Sequence, residues 1–223
     1  MKVLITGSNG LLGQKIVAQL TNKGIDFIAT SLGSNRNSNC NSLNYQSLDI
    51  TDLEQIKNIA HEFKPTHIIN TAAVTNVDFC EDNADLCQKV NVTAVQYLFN
   101  VSKKYNIHLI HLSTDFIFDG EDGPYTEEDK PNPLSYYGLS KLKSEQLLQS
   151  NCKWTILRTV IVFGVAENLS KGNLVLWAKG ALEKDEPLNI IDDQFRAPTL
   201  AEDLADACIL AIKKKAYGIF NAS

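Results

Sequence analysis

A tyrosine and a lysine four positions apart could together move a proton. Tyr137 and Lys141 occupy positions i and i+4 of a segment that we expect to be helical, so their side chains share one face. A neighbouring ammonium lowers the pKa of a phenol toward neutral pH, and such a phenol can give a proton to a carbonyl oxygen or take one from an alcohol. Tyr136 has the uncharged Ser140 at i+4, so we predict that Tyr137 is the reactive tyrosine.

A glycine-rich turn near the start of the chain could bind the pyrophosphate of a dinucleotide. Its glycines follow an apolar, strand-like segment and open a helical one, which is the context that this motif requires. Such glycines permit a tight turn and close approach of the backbone to the phosphates, while the first amides of the helix face the anion. A glycine turn without a ligand is the alternative interpretation. The predicted cofactor-binding residues of this turn are Gly7, Ser8, Asn9, Gly10, Leu11, Leu12 and Gly13.

The segment after the second predicted strand indicates which dinucleotide binds. NAD enzymes usually place an acid there, about 20 residues after the glycines, to bind the ribose 2′-hydroxyl. Residues 30–36 contain no acid, and Ser31 and Arg36 are suited to a 2′-phosphate. We therefore expect NADPH, with NADH as the alternative, in which case Arg36 is a solvated loop residue. Asp49 and Ile50, after the third predicted strand, are expected to flank the adenine.

Two hydroxyl side chains follow the predicted strand at 107–112. Ser113 and Thr114 come at its carboxyl end, the edge at which parallel α/β sheets bind ligands. A hydroxyl here could polarise the carbonyl group that Tyr137 protonates. The glycine turn, this strand end and the tyrosine–lysine pair, in this order, indicate a nicotinamide-dependent enzyme.

Alternating strand and helix patterns supply the framework for these residues. Apolar, β-branched segments predict strands at 2–6, 26–30, 45–49, 67–71, 107–112 and 154–158. Helical periodicity predicts helices at 11–23, from a cap at 51–52 to 63, at 83–105, and through Tyr137 to about 149. Apolar strands separated by helices indicate a parallel sheet covered on both faces. The predicted fold class is α/β, with a doubly wound parallel Rossmann sheet.

Beyond residue 164 the pattern is looser. We predict a helix at 173–183, a strand at 188–191, a helix at 200–214 and a strand at 218–221. We interpret residues 1–164 as an NADP-binding Rossmann domain. Residues 165–223 are expected to complete the sheet and to form a small, partial substrate-binding region.

The composition excludes several classes of function. With 44% hydrophobic residues and a net charge of −5, the 223-residue chain is typical of a globular protein and not of a general nucleic-acid binder. No apolar run could cross a bilayer and no leader precedes the first strand, so we expect a cytoplasmic protein without a membrane partner. The five scattered cysteines are expected to be reduced.

We expect no metal site, because neither the cysteines nor the four histidines have the spacing of metal ligands. His108 and His111 lie three apart on a predicted strand and should point to opposite faces. The histidines are therefore expected to have structural or surface roles.

Further segments resemble a known family. Residues 70–78, 90–94, 112–120, 157–159 and 192–199, together with the motifs above, resemble the extended short-chain dehydrogenase/reductase superfamily and, within it, the dTDP-4-dehydrorhamnose reductase family. The resemblance covers essentially the whole chain. It implies that Thr114 is catalytic beside Tyr137 and Lys141. It also implies further cofactor-binding residues: Thr71, Ala72, Ala73, Asn91, Tyr137 and Lys141. Lys141 is expected to hold the nicotinamide ribose as well as to tune Tyr137.

The same resemblance implies a substrate side formed by Ser113, Asp115, Phe116 and Arg196. Arg196 could bind the phosphates of a nucleotide sugar or could form a structural ion pair. Phe116 stands where many members carry tyrosine, and Ile161 where a tryptophan is common, so the exact sugar stays open. Family members continue past the strand at 218–221, which is why we expect the substrate-binding region to be partial.

The function that the resemblance implies is NADPH-dependent reduction of a nucleotide-linked 4-keto-6-deoxyhexose. One alternative is a sugar-nucleotide epimerase or dehydratase with retained NAD, which the missing acid after the second strand disfavours. Another is a non-catalytic, dinucleotide-binding regulatory subunit, which the intact set of Thr114, Tyr137 and Lys141 disfavours. The expected partner is a small-molecule nucleotide sugar, and a homodimer is the assembly we consider.

Overall fold

The computed structural model describes residues 1–149, 152–169 and 172–223. Its strands are β1 (Lys2–Thr6), β2 (Asp26–Ser31), β3 (Tyr45–Ser47), β4 (His67–Asn70), β5 (His108–Thr114), β6 (Trp154–Thr159), β7 (Val162–Phe163), β8 (Thr199–Leu200) and β9 (Gly218–Asn221). Seven of these strands form one parallel sheet in the order β3-β2-β1-β4-β5-β6-β9, and β7 pairs with β8 separately. The strand order reverses between β1 and β4, which opens a ligand-binding crevice at the carboxyl ends of these strands.

Helices cover both faces of the sheet. They are α1 (Leu11–Asn22), α2 (Leu53–Phe63), α3 (Val77–Asp82), α4 (Ala84–Gln88), α5 (Ala94–Tyr105), α6 (Tyr136–Leu148), α7 (Leu174–Leu182) and α8 (Ala201–Lys214). None of the described helices is long and apolar enough to cross a membrane.

The core is divided by the sheet because successive side chains of a strand point to opposite faces. Val3 and Ile5 pack with α1 and α8 on one face. Leu4, between them, packs with α2, α5 and α6 on the other. The predicted doubly wound parallel sheet is therefore confirmed, and the division at residue 164 stays a prediction.

Local signals place the helices that matter for the site. Asp52 caps α2, as predicted, because its side chain accepts hydrogen bonds from the backbone amides of Glu54 and Gln55. Ser135 caps α6 in the same way by accepting from the Gly138 amide. This cap starts the helix just before Tyr137 and so sets the positions of both predicted catalytic residues on it.

Two predicted elements differ from the structure. The predicted helix at 83–105 is divided, because a π-helical turn at Lys89–Thr93 separates α4 from α5. Such a turn accommodates an extra residue, and it lies around the fully buried Asn91. The predicted strand at 188–191 is wrong: these residues are not in a strand, and Ile190 and Ile191 are exposed instead of paired in a sheet.

Candidate functional site

A cavity of about 450 Å³ lies at the carboxyl ends of β1, β4 and β5. It brings together residues that the sequence predicted from separate motifs. Those that line it are Asn9, Gly10, Leu11, Leu12, Gly13, Arg36, Thr71, Ala72, Ala73, Ser113, Tyr137 and Lys141. The lining that sequence reasoning missed includes Asn70 and Leu112 on the strands and Leu169 and Asn173 from the segment before α7.

The glycine turn is shaped by contacts that exclude side chains. Gly7 has φ +75°, and a Cβ on it would lie 2.6 Å from Thr71 Oγ1 and 2.7 Å from the Ala72 nitrogen. A Cβ on Gly13 would collide with the Gly7 carbonyl oxygen and lie 2.7 Å from Ser8 Cα. Gly10 caps α1 without a side-chain hydrogen bond, and the first turn of α1 holds no acid. The helix start is therefore open to an anion, so the turn fits a pyrophosphate.

Asn9 organises the loop after β2. Its Nδ2 donates to the Ser34 carbonyl oxygen at 2.9 Å, and its Oδ1 accepts from the Arg36 amide at 2.9 Å. Ser31 Oγ accepts from the Asn9 amide at 3.0 Å, so Ser31 braces the turn without lining the cavity. Arg36 lines the cavity and has no ion pair within the described ranges. Its guanidinium is therefore available to a phosphate.

Tyr137 is buried, and the side chain of Thr114 is near enough to influence its phenol. Burial raises the pKa of the Tyr137 phenol well above its usual range, and the nearby Thr114 side chain only partly opposes this effect. The expectation that Lys141 brings this pKa toward neutrality is not met in the protein alone, because burial is the largest effect and the Asp115 carboxylate raises the pKa of Tyr137 further. The phenol therefore holds its proton, as a proton donor must.

Lys141 is almost completely buried beneath the same wall of the cavity. Its Nζ donates to the Leu112 carbonyl oxygen at 2.7 Å and lies 3.2 Å from His111 Nε2. Burial lowers the pKa of Lys141 to about 8, against the opposing effects of Glu145 and Cys87. His111 was expected to have only a structural or surface role, yet it contacts a predicted catalytic residue. Strand alternation could have found it, because His111 is two residues from Ser113 and shares its face.

Six predicted cofactor residues do not line the cavity: Gly7, Ser8, Ser31, Asp49, Ile50 and Asn91. Asp49 accepts hydrogen bonds from the amide and hydroxyl of Thr51, and Ile50 is buried in the core. Asn91 is fully buried and bonds both the amide and the carbonyl oxygen of Val74 at 2.9 Å. It thereby positions the segment that follows β4. Direct contact of these residues with a cofactor stays a prediction.

The predicted substrate residues meet beside Thr114. Its hydroxyl donates to Asp115 Oδ1 at 3.1 Å, and Asp115 Oδ2 forms an ion pair with Arg196 at 2.8 Å. The Arg196 guanidinium lies 4.8 Å from the centroid of the Phe116 ring. Burial raises the pKa of Asp115 although Arg196 opposes the effect. The ion pair that was the alternative for Arg196 is present, at the edge of the site.

Across residues 1–149, 152–169 and 172–223, no cluster of three or more His, Cys, Asp or Glu side chains is arranged to hold a metal ion. The site instead consists of an anion-binding turn, hydroxyl groups, and a buried tyrosine–lysine pair. These groups suit a dinucleotide and a proton transfer.

Comparisons with known proteins agree with this geometry. The RmlD substrate binding domain family matches residues 1–223. The chain is 34% identical to dTDP-4-dehydrorhamnose reductase of Aggregatibacter actinomycetemcomitans, over 99% of this chain and 72% of that protein. It is 30% identical to methionine adenosyltransferase 2 subunit beta of Rattus norvegicus, over 96% of this chain and 63% of that protein. The crystal structure of dTDP-4-dehydrorhamnose reductase from Bacillus anthracis in complex with NADP has a TM-score of 0.86 at 28% identity, and the match covers 100% of this chain and 74% of that one.

Proposed function

The chain belongs to the RmlD substrate-binding domain family, and from this premise we propose that it is an NADPH-dependent reductase of a nucleotide-linked 4-keto-6-deoxyhexose. The family makes the protein an NAD(P)-dependent oxidoreductase; the reduced cofactor and the sugar are what we propose. One observation carries the proposal: a buried phenol and a buried lysine share a cavity with an anion-binding glycine turn.

The cofactor-binding residues divide by the part of the dinucleotide they fit. The turn from Gly7 to Gly13 and the start of α1 fit the pyrophosphate, and Arg36 fits a 2′-phosphate. Ser113 Oγ is buried at the cavity wall and has no hydrogen-bond partner among the described residues, so it is free to bond a ligand. When bound, the reduced nicotinamide supplies the hydride that adds to C4 of the sugar.

The residues of α6 and β5 transfer the proton and stabilise the developing charge. As the ketone becomes an alkoxide, Tyr137 gives its phenolic proton to that oxygen, which completes the alcohol. Thr114 hydrogen-bonds the same oxygen and stabilises its developing charge. Lys141 then returns a proton to the phenolate. Asp115 and Arg196, at the edge of the site, are proposed to contact the sugar nucleotide.

A second candidate function is supported by the likeness to methionine adenosyltransferase 2 subunit beta of Rattus norvegicus, which is named as a subunit of another enzyme. In that case the chain would bind a dinucleotide and a partner without catalysing hydride transfer. A cytoplasmic location and a homodimer also remain parts of the proposal; the first rests on the scattered cysteines of the sequence.

Turnover with each reduced dinucleotide tests the function and the cofactor together. We expect the protein to oxidise NADPH in the presence of enzymatically generated dTDP-4-dehydro-L-rhamnose, and NADH less efficiently. Arg36→Ser should raise KM for NADPH by about tenfold or more and leave KM for NADH nearly unchanged, because only NADPH carries the 2′-phosphate.

Ser34→Ala is a matched control in the same loop, since Ser34 contributes its backbone carbonyl and not its side chain to the bond with Asn9. NADPH binding without turnover would contradict the reductase, and a stoichiometric enzyme partner recovered with the protein would then favour the regulatory subunit. Equal losses with both dinucleotides in Arg36→Ser would remove Arg36 from cofactor selection.

A further inference from the structure

Three polar side chains form a row across the middle of the sheet. Thr6, Asn70 and His111 are register partners on β1, β4 and β5, so they lie side by side on one face. All three are buried, with at most 1% of their surface exposed. Thr6 Oγ1 donates to Asn70 Oδ1 at 2.5 Å, and Asn70 Nδ2 lies 3.0 Å from His111 Nδ1.

The hydrogen bonds of this row have a direction. The Thr6 hydroxyl donates to the side-chain oxygen of Asn70, so the side-chain amide nitrogen of Asn70 faces the imidazole. An amide nitrogen can only donate, and His111 Nδ1 must therefore accept and carry no proton. Burial also lowers the pKa of His111 well below its usual value, so the ring is neutral. Its single N–H is then at Nε2.

The Nε2–H end of the row faces Lys141. Nε2 lies 3.0 Å from Ser144 Oγ and 3.2 Å from Lys141 Nζ. The Ser144 hydroxyl donates to the Lys141 carbonyl oxygen at 2.7 Å, so its oxygen accepts from the imidazole. An ammonium has no lone pair with which to accept an N–H, whereas a neutral amine has one. The histidine N–H therefore opposes the charged form of the lysine.

We propose that His111, oriented by Asn70 and Thr6, is a positioning residue that weakens the hold of Lys141 on its third proton. The other ionisable groups that act on this lysine are Glu145 on α6 and Cys87 on α4, and both favour the charged form. The Glu145 carboxylate is itself engaged by Arg158 at 2.8 Å. Burial acts in the opposite direction and lowers the pKa of Lys141 to about 8. The imidazole N–H opposes the charged form in the same sense as burial does.

This inference rests on the proposed function for its catalytic meaning. A lysine that binds its third proton weakly returns that proton readily to the Tyr137 phenolate after each turnover. If the row were reversed, His111 Nε2 would accept from the ammonium, and Lys141 would release its proton less readily. The row thus lets Lys141 release its third proton near the pH at which the enzyme works, without placing another charged group in the site.

Nitrogen NMR of the protein without cofactor or substrate tests the inference directly. In wild-type protein labelled with ¹⁵N-histidine, we expect His111 to show a protonated Nε2 and an unprotonated Nδ1. Thr6→Val preserves shape and charge but removes the hydroxyl that orients the Asn70 amide. We expect the Nδ1–H tautomer to appear in this variant, and the ammonium-to-amine ratio of Lys141, followed at ¹⁵Nζ, to rise by about tenfold at a given pH.

Thr30→Val is the matched control. Thr30 is the register partner of Thr6 on β2, is equally buried, and donates to the Ile5 carbonyl oxygen outside the row. It should leave both the tautomer and the Lys141 titration unchanged. An Nδ1–H tautomer in the wild type, or the same Lys141 titration in Thr6→Val as in the wild type, would overturn the inference. Because neither measurement needs substrate, its failure is distinct from failure of the reductase, which the turnover assay reports.

Discussion

The glycine turn is tightly packed, whereas the segment from 173 to 198 is loosely packed and exposed. Around the turn, Gly7 and Gly13 have no room for even a Cβ, and the helix that follows buries Ile16 and Leu20 completely. In the other segment, Gly180 has nothing within 4 Å of a Cβ, and Phe195 is fully exposed. A hollow of about 650 Å³ beside α7 is lined mainly by aliphatic side chains.

The difference distinguishes the turn that fits a cofactor from the segment that we propose to form part of the substrate-binding region. Close contacts with backbone atoms determine the conformation of the turn, since a side chain at Gly7 or Gly13 could not be accommodated. The segment around α7 has few such constraints, and its apolar side chains contribute little buried surface. The turn should consequently be sensitive to the smallest substitutions, and the α7 segment should tolerate them.

The largest contrast is expected between two glycine-to-alanine variants. Gly13→Ala forces a methyl group against the Gly7 carbonyl oxygen and Ser8 Cα, so it should lower the free energy of unfolding by about 3 kcal/mol. Its affinity for NADPH should fall by at least about 100-fold, because the turn must shift away from the phosphates. Denaturant unfolding and dinucleotide titration measure the two effects.

Gly180→Ala is the matched substitution in the open region. It should leave NADPH affinity unchanged and stabilise α7 by up to about 1 kcal/mol, since alanine favours a helix over glycine. Wild-type stability and NADPH affinity in Gly13→Ala, or an equal loss of stability in Gly180→Ala, would contradict the proposed difference in packing between the two regions.

A smaller effect should appear in the pH dependence of stability. The pKa of Lys141 is about 8 in the folded protein against a reference value of 10.5. Between these values the unfolded chain binds the extra proton, so this lysine makes the free energy of unfolding rise with pH, by up to about 3 kcal/mol. Lys141→Met should lack this rise. Chemical denaturation of both proteins from pH 7 to about 10 measures the difference.

Lys179→Met serves as the control in the open region, because the Lys179 side chain is mostly exposed and pairs with Glu183. It should retain the pH dependence of the wild type. If Lys141→Met and the wild type instead have parallel pH profiles, burial does not destabilise the charged form of Lys141.

The two regions also differ in how well the sequence predicted them. Residues 2–6 and the glycine turn combine a strand pattern with backbone requirements that few residue types meet, and the predicted strand and tight turn are both present. Asp52 was recognised as a cap because its interaction is local. The apolar pattern at 188–191 was mistaken for a strand, because a short apolar run does not reveal whether a partner strand exists.

Features that depend on distant contacts were missed. The π turn at Lys89–Thr93 surrounds Asn91, which bonds Val74 in the loop after β4 and Ser140 on α6. Strand alternation places His111 on the same face as Ser113, but its contact with Lys141 arises only when α6 packs on β5. The raised pKa of Tyr137 likewise follows from the burial of its side chain. The i, i+4 spacing of Tyr137 and Lys141 does not predict how deeply either side chain is buried.

The central claim is that Tyr137 transfers the proton, and two adjacent tyrosines allow it to be tested. Tyr137→Phe should lower kcat for NADPH oxidation with dTDP-4-dehydro-L-rhamnose by about 100-fold or more while leaving NADPH affinity nearly unchanged. Tyr136→Phe, which removes the neighbouring hydroxyl, should retain kcat within about twofold. Equal kcat values in Tyr137→Phe and the wild type would contradict the account.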